Sequence, residues 1–301
     1  MLTGRLALYT TVYPGVERYL PAWYKSVSAQ TDCNFDIWIG VDGLAVDAVI
    51  EAMGADPSAT WVMAEAGDTP AQIRQAAIEK IAHEYPAVVF VDSDDLLEPT
   101  RVGAARKSLR SKDISACAMR IIDERGTDLG IVSKPSTRNV VALIPRYNVF
   151  GLTNTAYRSQ ILRQCLPIPA ECVLIDWFLV TRAWALDASL GFDFTCRMAY
   201  RQHSYSIANV LAPFTKQQVL QASKLVLSHY NIILVKVPQL QTEHKKELET
   251  ARQRAKAFCN SVTESPEMLD CYVHELNRLP LNHIWWECVA HPQLEYIWRR
   301  N

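Results

Sequence analysis

Three aspartates crowd one short stretch, Asp92-Ser93-Asp94-Asp95, directly behind the apolar run Ala87-Val88-Val89-Phe90-Val91. Carboxylate oxygens are hard ligands, and two of them close together suit Mg2+ or Mn2+ that also bridges the phosphates of a substrate. The β-branched and aromatic run before them reads as a buried strand, and ligands in open α/β sheets gather at the carboxyl ends of such strands. An acidic helix-capping loop is the alternative, since Asp favours turns and N-caps and Pro99 marks a helix start nearby.

The elements that must position this turn alternate strand-like and helix-period segments, the pattern of a mostly parallel sheet covered by helices. Strands are expected at Leu6 to Thr11, Phe35 to Val41, Thr60 to Met63 and Ala87 to Val91. Between them fall helices at Val16 to Ala29, Ala45 to Met53 and Pro70 to Glu84, with another at Thr100 to Leu109. Tyr19, Leu20, Trp23 and Val27 recur at three- and four-residue intervals, the mark of an amphipathic helix. Farther on, Ile114 to Ile122 and Leu129 to Val132 flank a turn at Glu124-Arg125-Gly126-Thr127 and predict a hairpin, so the sheet becomes mixed. A strand at Thr153 to Tyr157, helices at Ser159 to Cys165 and Leu174 to Leu186, and a last strand at Phe192 to Tyr200 follow. From Thr215 the chain is helical in character.

Composition narrows the function classes. The 301 residues are 49% hydrophobic and 21% charged without a low-complexity tract, which predicts an ordinary globular protein. A net charge of −1 removes the broad positive field that nucleic-acid binding needs, so no nucleic-acid partner is expected. Eight cysteines without C-x-x-C spacing read as reduced, buried thiols rather than zinc or redox pairs. Met1-Leu2-Thr3-Gly4-Arg5 runs straight into a strand-like segment with no signal-peptide pattern, and no apolar run reaches the ~18 residues of a membrane span. A cytoplasmic protein without a transmembrane segment is the expectation. The charge alternation from Glu243 to Lys256 reads as a solvated helix face. Trp285, Trp286, Tyr296 and Trp298 with Arg299 and Arg300 are compatible with peripheral membrane contact, but core packing is expected because a dense basic face is missing.

Several landmarks fall in one order: Tyr9-Thr10-Thr11, Ser26-Val27-Ser28-Ala29-Gln30-Thr31, Gly40-Val41-Asp42-Gly43, Ile73-Arg74-Gln75, the acidic turn, Ile175-Asp176-Trp177 and Tyr200-Arg201-Gln202-His203. Together, over roughly the first two-thirds of the chain, they resemble the inverting family-two glycosyltransferases of the GT-A fold. The resemblance implies a catalytic domain at residues 1–210, with a donor half at 1–98 and an acceptor half at 99–210, and a helical extension at 211–301. It implies a metal-dependent enzyme moving a sugar from a nucleotide-sugar donor, with UDP as the expected nucleotide, to a glycan or lipid-linked acceptor.

Residue by residue, the resemblance puts Thr10 or Thr11 and Asp42 on the nucleoside, with Arg74 on the diphosphate through its planar fork of donors. Asp92 and Ser93 belong to the donor side, Asp92 on ribose or a metal-bound water; Asp94 binds Mn2+ or Mg2+ directly, and Asp95 holds the loop. His203 is a further metal or phosphate contact. Asp176 is the general base, because a single in-line displacement needs one carboxylate to take the acceptor's hydroxyl proton. Each position also has a plain structural alternative: a tight turn for Asp42-Gly43, an exposed helix arginine for Arg74, a satisfied histidine for His203, an N-cap for Asp176. Two rival functions stay open, a catalytically inactive sugar-nucleotide scaffold and a nucleotidyltransferase, although the glycine-rich basic loop of the latter is absent.

Overall fold

The computed structural model describes residues 4–204, 206–237 and 240–299. Met1 to Thr3, Tyr205 and Arg300 lie outside the described residues. The chain divides into two compact units, Met1–Val132 with Phe150–Arg201, and Ser133–Val149 with Gln202–Asn301. One boundary between the units falls at the end of the last strand, after Arg201, and the second unit also takes in the segment 133–149.

The first unit is built on one nine-stranded sheet. Strands β1 (Leu6–Val12), β2 (Phe35–Val41), β3 (Thr60–Met63) and β4 (Ala87–Phe90) alternate with helices α1 (Leu20–Ser28), α2 (Val46–Met53) and α3 (Pro70–Glu84). After β4 come β5 (Leu96–Leu97), α4 (Arg101–Ser108), β6 (Ile114–Ile122), β7 (Asp128–Ser133), β8 (Thr155–Arg158), α5 (Ser159–Cys165), α6 (Ile175–Ala185) and β9 (Leu190–Arg201). The order is β3-β2-β1-β4-β8-β6-β9-β5, with β7 on β6. Strands β3, β2, β1 and β4 run parallel, β8 is antiparallel to both β4 and β6, and β6 and β9 are parallel again. The mixed, mostly parallel sheet expected from the sequence is therefore present.

Every residue of β1 and β4 is buried, as parallel strands covered on both faces require; β4 is a continuous apolar run, whereas β1 is interrupted by Thr10 and Thr11. Trp23, Leu20 and Val27 of α1 pack with Leu6, Leu8, Val12, Ile39, Val89 and Val91 in one cluster. Thr69 starts α3 with a reciprocal capping box to Gln72, and Pro70 occupies the first turn where its missing N–H costs nothing. The predicted helix from Val16 begins as a 3-10 turn at Glu17–Tyr19 before α1, and the two-residue strand β5 had no signal of its own.

The second unit packs α7 (Lys216–Lys236), α8 (Thr242–Glu264), α9 (Pro266–Leu276) and the short α10 (Glu295–Trp298). Val219, Ala222, Val226, Tyr230 and Ile233 form the buried stripe of α7, and the Tyr230 hydroxyl donates to the Pro145 carbonyl at 2.7 Å. Trp285, Trp286 and Trp298 are buried, while Tyr296 is exposed. Phe258 lies against Tyr272 and Trp298 with ring centroids 4.7 and 5.4 Å apart, so this aromatic segment is largely core. Arg254, inside the stretch read as a solvated face, instead pairs with Glu295 at 2.8 Å and lies over the Trp298 ring. No helix among the described residues is long and apolar enough to cross a membrane.

Candidate active site

Chain order reverses between β1 and β4: β2 and β3 are added on one side of β1, and β4 returns to the other. Such a switch leaves a crevice at the carboxyl ends of the two strands, where open α/β sheets bind ligands. Register brings the named residues to that edge, with Tyr9 opposite Phe90, Thr11 opposite Gly40 and Val12 opposite Val41. Thr10 and Thr11 close β1, Asp42 follows β2 with its N–H bonded to the Val12 carbonyl, and Asp92 follows β4. Beneath them the Tyr9 hydroxyl and Thr11 Oγ1 share a hydrogen bond of 3.0 Å. Gly40 leaves room for that ring, since a Cβ there would stand 2.7 Å from the Tyr9 oxygen.

The acidic turn is locked from three directions. Ser93 is buried, and its hydroxyl donates to the Thr11 carbonyl at 2.8 Å, which tethers the turn to β1. Thr153 bridges the turn internally: its Oγ1 accepts from the Asp92 N–H at 3.1 Å and donates to Asp95 Oδ2 at 2.5 Å. Arg201 at the end of β9 donates its peptide N–H to Asp95 Oδ1 at 2.7 Å and its Nε–H to the Asp94 carbonyl at 2.6 Å. Asp95 is fully buried inside this lattice, which accords with a loop-holding role. The turn leads into β5, and α4 starts after Thr100, so these aspartates do not cap a helix.

Asp92 and Asp94 remain half-buried. Burial and then the Asp94 carboxylate push the Asp92 carboxyl up to about 7 against the pull of the Arg74 guanidinium, and Asp176 adds a further upward push. Burial raises the Tyr13 hydroxyl, and Asp94 and Asp92 raise it further. Arg74 acts on Tyr9, Tyr13 and Asp92 together, and its buried Nε finds no acceptor among the described residues. A buried, unmatched guanidinium donor is costly unless a ligand completes it, and an anionic group would.

Asp176 lies in the first turn of α6, whose N-cap is Leu174; its Oδ1 accepts the Trp177 N–H at 2.7 Å, so it is not the cap. Its charge reaches Asp92, the buried Tyr157 hydroxyl, which burial raises first, and the Cys172 thiol, which burial and Asp176 push up to about 12. The preceding loop is pinned to α3, with Thr69 Oγ1 donating to the Ala170 carbonyl at 2.9 Å and Gln75 accepting the Ile168 N–H at 2.9 Å. Thr10, Thr11, Asp42, Arg74, Asp92, Ser93, Asp94 and Asp176 thus all belong to the first unit, where Asp92, Asp94, Arg74 and Asp176 are electrostatically joined. His203 belongs to the second unit, where its N–H donates to Ser206 Oγ at 3.1 Å.

Among the described residues no group of three His, Cys, Asp or Glu side chains is placed to hold a metal ion. The pair Asp92 and Asp94 nevertheless fits a cation that takes its other ligands from phosphate and water, as Mg2+ does, because the Asp94 carboxylate opposes the ionisation of Asp92 and a positive charge between them would relieve that. Thr153, Tyr13 and the Arg201 side chain were not singled out in the sequence. The contacts that make Thr153 and Arg201 matter span 58 and 107 positions, beyond any local pattern.

No protein-family profile matches the sequence, and no curated protein does. Solved structures do. A 1–349 fragment of Staphylococcus aureus TarS, in complex with UDP-GlcNAc, superposes with a TM-score of 0.61 at 17% identity, over 85% of this chain and 74% of that one. The chain has the GT-A glycosyltransferase fold. The mannosyltransferase PcManGT of Pyrobaculum calidifontis, in complex with GDP-Man and Mn2+, gives a TM-score of 0.59 at 10% identity, over 93% and 77% of the two chains. Against a longer S. aureus TarS chain the TM-score is 0.55 at 16% identity, and this protein spans 43% of that chain's length.

Proposed function

We propose that the protein is a metal-dependent, inverting glycosyltransferase that moves a sugar from a nucleoside diphosphate donor to a hydroxyl of a glycan or lipid-linked acceptor. The observation that carries this reading is the electrostatic grouping of Asp92, Asp94, Arg74 and Asp176 at the β1–β4 switch point. TarS and PcManGT, whose structures hold UDP-GlcNAc and GDP-Man with Mn2+, lend it support through their shared fold. UDP is our choice of nucleotide, on the resemblance of the strand-end motifs.

In this reading Asp94 holds Mn2+ or Mg2+, with Asp92 beside it on the ribose or a metal-bound water. The cation would supply Lewis-acid neutralisation of the charge that grows on the departing diphosphate. Arg74 contributes a second positive charge to the same oxygens. Asp42 accepts hydrogen bonds from the base, and Thr10 or Thr11 borders the nucleoside. Asp176 takes the proton of the acceptor hydroxyl as the new glycosidic bond forms. Its place in the first turn of α6 sets the carboxylate at the positive end of that helix. The role of His203 as a further ligand rests on the resemblance alone, and His203→Ala tests it.

The deciding experiment is incubation with UDP- and GDP-sugars and Mn2+. Release of nucleoside diphosphate supports the transferase; pyrophosphate formation would mark a nucleotidyltransferase, and binding without turnover on any acceptor a scaffold.

A further inference from the structure

Arg201 is 3% exposed, and its guanidinium hydrogen bonds go to backbone carbonyls: Asp94 at 2.6 Å, and Asp123 and Glu124 at 3.1 Å each. The face of the guanidinium lies over the Tyr19 ring, 4.7 Å from its centroid. A buried cation is expensive unless well satisfied, and a single exposed ion pair elsewhere would have stapled β9 at lower cost. This one joins two turns. Asp94 belongs to the acidic turn; Asp123 and Glu124 belong to the hairpin turn between β6 and β7.

The hairpin turn is itself tightly made. Asp123 Oδ1 accepts the N–H groups of Arg125 and Thr127, and its carbonyl accepts the Gly126 N–H. Gly126 has φ +89, and a Cβ there would meet Arg201 Nη1 at 3.4 Å. Arg18 pairs with Glu124 at 2.7 Å and covers the Tyr19 ring at 4.7 Å, bracing the turn and the ring from the solvent side. The carbonyl that Arg201 grips belongs to Asp94 itself, so its direction fixes the backbone from which the Asp94 carboxylate projects. The peptide N–H of Arg201 holds the next residue, Asp95, by its side chain.

We propose that Arg201 is a positioning residue: it couples the 123–127 hairpin turn to the acidic turn and thereby sets the affinity of Asp94 for a divalent cation. The cation part rests on the function proposed above; the mechanical coupling does not. Groups that orient a metal ligand without touching the metal typically change its affinity by about 10- to 100-fold.

The test uses the full chain and three variants, Arg201→Lys, Gly126→Ala and Arg106→Lys. Arg106 clamps Asp32 at 2.6 Å and the Asn34 carbonyl at 2.7 Å, and serves as a structural control. Amide hydrogen exchange over residues 91–97 is read on the free protein, and the Mn2+ dissociation constant is read from free-ion electron paramagnetic resonance with saturating UDP or GDP. Arg201→Lys should speed exchange in that segment and weaken Mn2+ by about 10- to 100-fold, with Gly126→Ala shifting both the same way by less. Arg106→Lys should lower the melting temperature and leave the Mn2+ constant unchanged. Unchanged exchange in Arg201→Lys overturns the coupling, as does a Mn2+ loss that Arg106→Lys reproduces. If Arg201→Lys does not fold, Gly126→Ala decides: wild-type exchange and affinity there overturn the proposal. A wild-type protein that binds no Mn2+ with either nucleotide sinks the functional reading and the affinity claim, while the exchange result still judges the coupling.

Discussion

Gly40→Ala probes the floor of the crevice with one methyl group. A Cβ at this position would stand 2.7 Å from the Tyr9 hydroxyl oxygen, 3.3 Å from Ile73 Cγ2 and 3.5 Å from Tyr9 Cζ. Tyr9 is 1% exposed and is held by its bond to Thr11, so the ring has little room to yield. Overpacking a dense core costs about 1–3 kcal/mol, while replacing a glycine in ordinary backbone geometry returns about 0.4–1 kcal/mol through the unfolded state. The net loss is therefore between about zero and about 2.6 kcal/mol, or a fall of up to roughly 10 °C in melting temperature for a unit of this size. Tyr9→Phe removes the colliding atom at a cost of about 1 kcal/mol for the lost hydrogen bond. In that background Gly40→Ala should become neutral or slightly stabilising, limited by the contact with Ile73. Urea unfolding of the four proteins in the cycle measures the coupling directly. Equal costs of Gly40→Ala in both backgrounds would refute the claim that the glycine is there to admit the Tyr9 hydroxyl.

UDP with Mn2+ should raise the melting temperature of the wild type, by about 2.7 kcal/mol of stabilisation at a hundredfold excess over the dissociation constant, and Asp94→Ala should abolish the gain; a mutant stabilised equally would remove Asp94 as the cation holder. Asp176→Asn should bind donor normally yet lose about 10²- to 10⁴-fold in kcat, the usual contribution of a general base; near-normal turnover would disqualify it. Burial pushes the His229 imidazole down to about 3, so below its ordinary value near 6.5 the unfolded chain takes up a proton that the folded one refuses. Stability then falls as pH drops through that window, by up to about 2 kcal/mol between pH 7 and pH 5, and His229→Leu should flatten the difference in urea titrations at the two values. A pH dependence unchanged in His229→Leu would assign the effect to other groups.

Much of the fold was legible because its signals are local. The bounds of Phe35–Val41, Thr60–Met63, Pro70–Glu84, Ile114–Ile122 and Ser159–Cys165 are those read from residue types alone. The buried strand β4 announces itself as an unbroken apolar run, and α3 carries its start in Thr69, Pro70 and Gln72. The strand expected from Thr153 begins at Thr155, and the Thr153 hydroxyl bridges Asp92 and Asp95 just before it. Arg254 looked solvated among its charged neighbours, yet its partners Glu295 and Trp298 lie 41 and 44 positions away.

What the sequence alone determined is which side chains could do chemistry and that a strand would deliver the acidic turn to a sheet edge, because hydrophobic runs and turn-forming residues act over a few neighbours. The resemblance already gave the loop-holding part to Asp95; only the tertiary structure shows the bonds that do the holding. Asp95 is sealed by Thr153 and Arg201, and Asp92 is left under the charges of Asp94, Arg74 and Asp176. Burial and hydrogen bonding distinguish chemically identical carboxylates, and both are set by segments distant in the chain that meet only when the sheet closes.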